Sequence, residues 1–182
     1  KQVPYVYSGF WGTDAAEQLG EKLRLEFEES WPGWYGKAAF ACAGNEAVDF
    51  ACRIAAQYFI ERGEPRQIFA TRKYSFHGVG LLTSALTDDY GRYMLMTPYI
   101  DATRSSYLLR LPGYHGNFDA GELEKYECRL LDRIEREISH SFDTGRPVAG
   151  LILEPVGGPP VGCAAPTKDY LQGLREICNR HG

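Results

Sequence analysis

Apolar positions recur along the chain at helical spacing, separated by short unbroken apolar runs. Asp14 to Glu29 carries Ala15, Leu19, Leu23 and Phe27 at four-residue steps with charges between them, which predicts an amphipathic helix laid on a core. "WPGWYG" stops it. The run "AAFACA" (38–43) predicts a short strand. "GNEAVDFACRIAAQYFIERG" predicts a helix in which Ala47, Phe50, Ala51, Ile54, Ala55 and Tyr58 share a face, with Gly63 where a helix-ending glycine belongs. "RQIFATRKY" predicts a second strand and "GVGLLTSAL" a short helix, after which the signal fades from Thr87 to Gly116. Asp119 followed by Glu122 resembles a capping box, and Leu123, Tyr126, Leu130, Ile134 and Ile138 extend a long amphipathic helix to about Ser139. Val148 to Leu153 is a continuous apolar run, as expected of a parallel strand covered on both faces, and it ends on Glu154. Thr167 caps a last helix through Tyr170, Leu171, Leu174, Ile177 and Cys178.

Strands alternating with helices predict an α/β sheet. No repeat, low-complexity tract or linker interrupts residues 1–182, so a single domain is expected. A parallel strand followed by a helix calls for another strand to complete the crossover, and here the helix runs to the last residue, so the expectation is a domain continued elsewhere. The opening residues carry no evident edge element either, so both ends read as cut.

Composition narrows the function classes. With 182 residues and 44% hydrophobic content the chain can bury a core. A net charge of -4 without a basic stripe argues against nucleic acid and anionic membranes and leaves a small molecule as the expected ligand. The five cysteines, an odd number with no C-x-x-C pair, suit neither a disulfide framework nor a zinc site, and a reducing, cytoplasmic setting fits them better. There is no run of about 18 apolar residues and no signal-peptide pattern, so a soluble chain is expected. His115, His140 and His181 lack metal-ligand spacing, and no G-x-S-x-G elbow supports a serine hydrolase.

Three strand exits carry candidate chemistry. A strand passing through Ala43 and Gly44 into a helix beginning near Asn45 points free N–H groups beyond the strand, a seat for an anion or phosphate, although such turns also commonly hold water. Cys42 beside it reads as a small buried thiol or a reactive one. "RKYSFHGVG" sets Phe76 and His77 on a tight turn, which by itself fits a core ring with a solvated imidazole just as well. Glu154 lies where open α/β sheets bind ligands, or accepts N–H bonds from its own loop. The glycines of "VGGPPVG" are interrupted by Pro159 and Pro160 and make no dinucleotide fingerprint.

In combination and in order these segments resemble the class III (omega-type) aminotransferases, pyridoxal-phosphate (PLP) enzymes of fold type I. "ACAGNEAVDFACRIAAQYFIERGEPRQIF" is similar to their S-G-[ST]-E-A-x-E-x-A-x-K-x-A-R segment and following strand, "YSFHG" to their aromatic-[HW]-G turn, "GLILEPVGG" to their E-P-[VI]-x-G strand end, and "YLQGLREICNRHG" to the helix beyond it. The resemblance spans about Asp14 to Gly182. It implies a three-layer α/β/α sandwich, part of the mostly parallel sheet of a fold type I large domain. It further implies that the backbone N–H groups of Gly44 and Asn45 hold the PLP phosphate and that Phe76 stacks on the pyridine ring. His77 would lie at the edge of the site, and Glu154 would orient groups around the ring. The implied activity moves an amino group between a small-molecule amino donor and a keto or aldehyde acceptor, in a homodimer or in complex with a companion chain. "ESWPGWYG" and "GRYMLMTPY" are candidates for the interface core.

Departures from the pattern also carry meaning. In the family the Schiff-base lysine and the aspartate that pairs with the pyridinium nitrogen follow the helix on which this chain ends, and Lys1, Lys22, Lys37, Lys73, Lys125 and Lys168 stand in no matching context. The alternative is therefore a non-catalytic binding or regulatory protein that keeps the fold. Asn45 replaces the usual Ser or Thr, a modest change for a backbone contact. Pro159 stands where some members carry a glutamate that partners a substrate-binding arginine, which bears against a glutamate-switch selectivity.

Overall fold

A computed structural model describes residues 12–33, 36–88, 108–114 and 119–182. The chain divides into two compact units, Lys1–Cys42 and Ala43–Gly182. The "GRYMLMTPY" segment, His115 and the Trp34–Tyr35 part of "ESWPGWYG" lie outside the described residues.

The first unit contributes helix α1, Asp14–Ser30, whose N-cap Thr13 accepts the Ala16 N–H at 3.2 Å. Helical spacing predicted this element correctly, but its apolar face is not laid on a core: Leu19, Leu23 and Phe27 are all exposed. The strand expected at Ala38–Ala43 is absent. Those residues are exposed and have no ladder partner among the described residues, and an apolar run becomes a strand only where another strand pairs with it.

The second unit is built on three parallel strands, β1 (Ile68–Arg72), β2 (Leu108–Leu111) and β3 (Val148–Ile152), in the order β2-β1-β3. Phe69 aligns with Leu108 on one side and with Gly150 on the other, and the β1–β3 register is irregular between Ile68 and Phe69. Helix α2 (Gly44–Glu61) and the short α3 (Leu81–Leu86) cover one face, burying Cys52, Phe59, Ala85 and Leu86 against Phe69, Leu108 and Ala149. Helices α4 (Ala120–Asp143) and α5 (Lys168–His181) cover the other, packing Leu130, Ile134, Ile138, Leu174 and Ile177 on Ile68, Ala70, Leu111 and Val148. This is the expected α/β/α layering. β1 is buried along its whole length, and its side chains alternate between the two layers as a pleated strand requires.

Three details depart from the sequence reading. On α2 the buried stripe is Val48, Cys52, Ala55, Ala56 and Phe59, whereas Phe50, Ile54 and Tyr58 are 39%, 54% and 53% exposed. Both stripes are apolar, so the 3.6 period finds the helix without telling which stripe meets the sheet. β2 falls in the stretch where the pattern gave no signal. It has four residues, with Arg110 among its leucines. The capping box at Asp119 does not form: the Asp119 backbone carbonyl, not its carboxylate, accepts the Glu122 N–H at 2.9 Å. The Thr167 cap does form, accepting the Tyr170 N–H at 3.2 Å.

Candidate functional site

The carboxyl ends of β1 and β3 and the N-terminus of α2 converge. β1 leaves the sheet at Arg72, and the chain then turns through Tyr74, which adopts a φ of +63°. Ser75 stabilises the turn from inside: its hydroxyl donates to the Arg72 carbonyl at 2.7 Å, and its own carbonyl accepts the Asp88 N–H at 2.8 Å. The Tyr74 N–H donates to Asp88 Oδ2 at 3.1 Å, and Asp88 pairs with Arg110 of β2. The His77 N–H donates to Thr87 Oγ1 at 2.9 Å, and Thr87 Oγ1 donates to the Thr83 carbonyl at 2.8 Å. The Phe76 turn is thus fastened to the end of α3 and to β2.

Two contacts join the predicted motifs. Gly78, with a φ of +131°, lies so close to α2 that a Cβ there would sit 2.7 Å from the Asn45 Cβ. The Phe76 N–H donates to Glu154 Oε2 at 3.3 Å. Gly44, Asn45, Phe76, His77 and Glu154 therefore belong to one region, as their order along the chain suggested. Glu154 does accept an N–H bond, but from the turn on the neighbouring strand rather than from its own loop, so the bond ties two strand ends together.

The phosphate-type turn has an open donor set. The N-cap of α2 is Ala43, which has no side-chain acceptor, and the N–H groups of Gly44 and Asn45 have no acceptor among the described residues. A Cβ added at Gly44 would meet nothing within 4 Å. An 18-residue helix adds its dipole to these donors, so an anion is the group the turn suits. Phe76 itself is partly buried, two residues before the Gly78 that abuts Asn45, and a flat ring on this turn can offer a flat heterocycle a stacking surface. Phosphate donors, ring and carboxylate together fit a phosphorylated heteroaromatic group.

The His77 imidazole is not solvated: the residue is 9% exposed, and its Nε2 has no hydrogen-bond partner among the described residues. Burial first, and the nearby Arg72 charge second, push its pKa down to about 4, so the imidazole is neutral at pH 7. Cys42 is exposed rather than buried. Cys52, by contrast, is buried, and desolvation followed by the Asp49 charge raises its thiol to about 11, which leaves it protonated and unreactive.

Some residues of the region escaped the sequence reading. Asp49 lies one helical turn beyond Asn45, with Oδ2 3.6 Å from where a Cβ of Gly80 would stand and a buried Oδ1 without a partner among the described residues. The four-residue spacing from Asn45 was the available signal. Ser75, Thr87 and Arg72 carry no motif that would mark them in the sequence. Among the described residues no helix is long and apolar enough to cross a membrane, and no group of three or more His, Cys, Asp or Glu is arranged to hold a metal ion.

The family model for "Aminotransferase class-III" matches residues 2–182. An uncharacterized aminotransferase of Bacillus subtilis, YodT, is 29% identical across 99% of this chain and 38% of its own length. An omega-aminotransferase of Caulobacter vibrioides is 30% identical across 90% of this chain and 37% of its own length. A solved amine transaminase from an uncultivated Pseudomonas species, in a PLP-bound form, superposes with a TM-score of 0.81 at 24% identity, covering 98% of this chain and 38% of that one. The chain thus spans somewhat over a third of the length of these relatives.

Proposed function

The chain belongs to the aminotransferase class-III family, and on that premise we propose that its strand-end crevice binds PLP as part of an enzyme that transfers an amino group from a small-molecule amino donor to a keto or aldehyde acceptor. The observation that carries the reading is the convergence of three separate motifs, with Gly78 against Asn45 and Glu154 on the Phe76 N–H. The N–H groups of Gly44 and Asn45 hold the phosphate through backbone, so Asn in place of Ser or Thr costs little. Phe76 stacks on the ring and fixes its plane. Glu154, tied to the Phe76 turn, orients polar groups around the ring, and His77, its N–H held by Thr87 Oγ1, lies at the edge of the site as a neutral imidazole. When bound, PLP supplies the electron sink for amino transfer, and the protein supplies orientation.

The Schiff-base lysine and the pyridinium-pairing aspartate are expected from polypeptide outside these residues, in the same protein or in a companion chain. We further propose a cytoplasmic location and a homodimer or a complex with that companion. The exposed Phe50, Ile54 and Tyr58 of α2 and the exposed face of α1 support association, because apolar stripes of this kind favour burial in an interface.

Titration of the purified 182-residue chain with PLP tests the reading. The expected result is saturable binding at one site, weakened by about 1–3 kcal/mol in Phe76→Ala, the range for stacking on an aromatic side chain. Transamination by the chain alone is expected to be undetectable, and borohydride is expected to leave no pyridoxyl group on a single defined lysine. Binding that ignores Phe76→Ala, or stoichiometric labelling of one lysine with turnover, would contradict this assignment.

A further inference from the structure

Behind Glu154 lies a chain of buried polar contacts that the binding site itself does not account for. Arg72, at the end of β1, is 4% exposed, and its Nη2 donates to the Glu154 carbonyl at 2.6 Å. Its guanidinium stands 6.0 Å from the centre of the Tyr114 ring. The Tyr114 hydroxyl donates to Glu127 Oε1 at 2.7 Å. Glu127, on α4 and also 4% exposed, accepts the Thr167 N–H at 2.9 Å and the Thr167 hydroxyl as well. Tyr126, from the same helix, donates to the Gly113 carbonyl at 3.0 Å, and Tyr170 of α5 packs on Tyr114 with ring centres 5.3 Å apart. The segment after β2, the start of α5 and the ends of β1 and β3 are thereby referred to one carboxylate. Beside Arg72 lies a cavity of about 10 Å³, lined by Arg72, Tyr74, Ser75, Tyr114 and Glu154 among others. That holds one water at most and no ligand, so the arrangement positions groups rather than binding them.

We propose that Arg72 is a positioning residue: held over Tyr114, whose hydroxyl is fixed by Glu127, it fastens the backbone of Glu154 so that the Glu154 carboxylate meets the Phe76 N–H and the Phe76 ring is presented in one orientation. Its effect on PLP rests on the binding reading above, whereas its effect on the Phe76 turn does not. A buried charged donor in a 2.6 Å bond to a carbonyl makes a firm anchor, because both groups lose that interaction together if the strand end shifts. Lysine is no equal substitute, since its single ammonium lacks the planar fork that can face the carbonyl and the ring at once.

Hydrogen exchange at the Phe76 amide, read against the amides of β1, tests this together with PLP titration. The variants are Arg72→Met, Arg72→Lys and Tyr114→Phe, with Ile134→Ala as a control that loosens the same core without removing any hydrogen-bonding group of the chain of contacts. Relative to the β1 amides, Phe76 exchange is expected to accelerate by about tenfold or more in Arg72→Met, the loss of one charge-assisted hydrogen bond, and by less in Arg72→Lys and Tyr114→Phe. In the control it is expected to stay in step. PLP affinity falls in the same order. Phe76 exchange that follows the β1 amides in every variant overturns the proposal. Should Arg72→Met not fold, Arg72→Lys and Tyr114→Phe decide it by the same comparison. Absence of PLP binding in the unmodified chain overturns the binding reading alone, because exchange still decides the role of Arg72. Unchanged exchange with PLP binding intact overturns the role of Arg72 alone.

Discussion

The Phe76 turn and the Gly44 turn meet at Gly78 and Asn45, yet they are built in opposite ways. The Phe76 side is fastened before any ligand arrives: Ser75, His77 and Thr87 are buried, and Asp88, Thr87 and Glu154 accept the N–H groups of Tyr74, His77 and Phe76. The Gly44 side is open. Its N-cap offers no side chain, Gly44 is exposed, and its N–H donors have no acceptor among the described residues. The difference implies a division of labour in which the ring platform is preorganised by folding energy while the phosphate seat spends almost nothing until an anion fills it. Changes on the first side should therefore appear in stability, and changes on the second only in binding.

The largest effect is expected at the joint. Gly78→Ala forces a side chain into a backbone with a φ of +131° and against Asn45 at 2.7 Å. It should lower unfolding free energy in urea by about 3 kcal/mol. A neutral result would mean that the two turns are not in contact.

His77 gives the next largest signal. The folded chain keeps this imidazole neutral down to about pH 4, whereas the unfolded chain protonates it near 6.5. Between those values the unfolded state holds the extra proton, so stability falls as pH drops through the window and is unaffected above it. The slope is about 1.4 kcal/mol per pH unit at its steepest. Unfolding curves of His77→Gln measured from pH 7 to pH 4 should lose this slope. An unchanged pH dependence would place the ring in solvent.

The smallest effect on stability is expected on the open side. A Cβ at Gly44 meets nothing within 4 Å, so Gly44→Ala should shift stability by no more than about 0.5 kcal/mol. PLP titration of the same variant should nonetheless weaken, because the methyl group crowds the donors that face the anion. A large stability loss would show that the Gly44 turn is as tightly held as its neighbour.

The same contrast explains what could be read in the sequence. Ordered motifs pointed to Asn45, Phe76 and Glu154 as parts of one region, since turn glycines and strand-end residues leave local marks. The alternation of helices and strands showed the layers. Residues that act across layers left none: Arg72, Tyr114 and Glu127 are far apart in sequence, and a buried guanidinium at a strand end looks like ordinary surface polarity until its partners are known. The doubly apolar α2 concealed which stripe packs on the sheet, because Cys52 and Phe59 repeat at the same period as Phe50, Ile54 and Tyr58. β2 was too short and too interrupted by Arg110 to give a signal of its own. Nothing local to Phe76-His77-Gly78 separates a solvated imidazole from a buried one, because the contact that draws the turn inward comes from Thr87, ten residues on.

Amide chemical-shift mapping with PLP and with pyridoxal, which lacks the phosphate, tests the central claim most directly. The account predicts that PLP shifts the Gly44, Asn45 and Phe76 amides, while pyridoxal shifts Phe76 and leaves Gly44 and Asn45 in place. Shifts that leave all three unmoved, or that collect instead in the groove of Arg133, Arg136 and Arg146 beside α4, would contradict it.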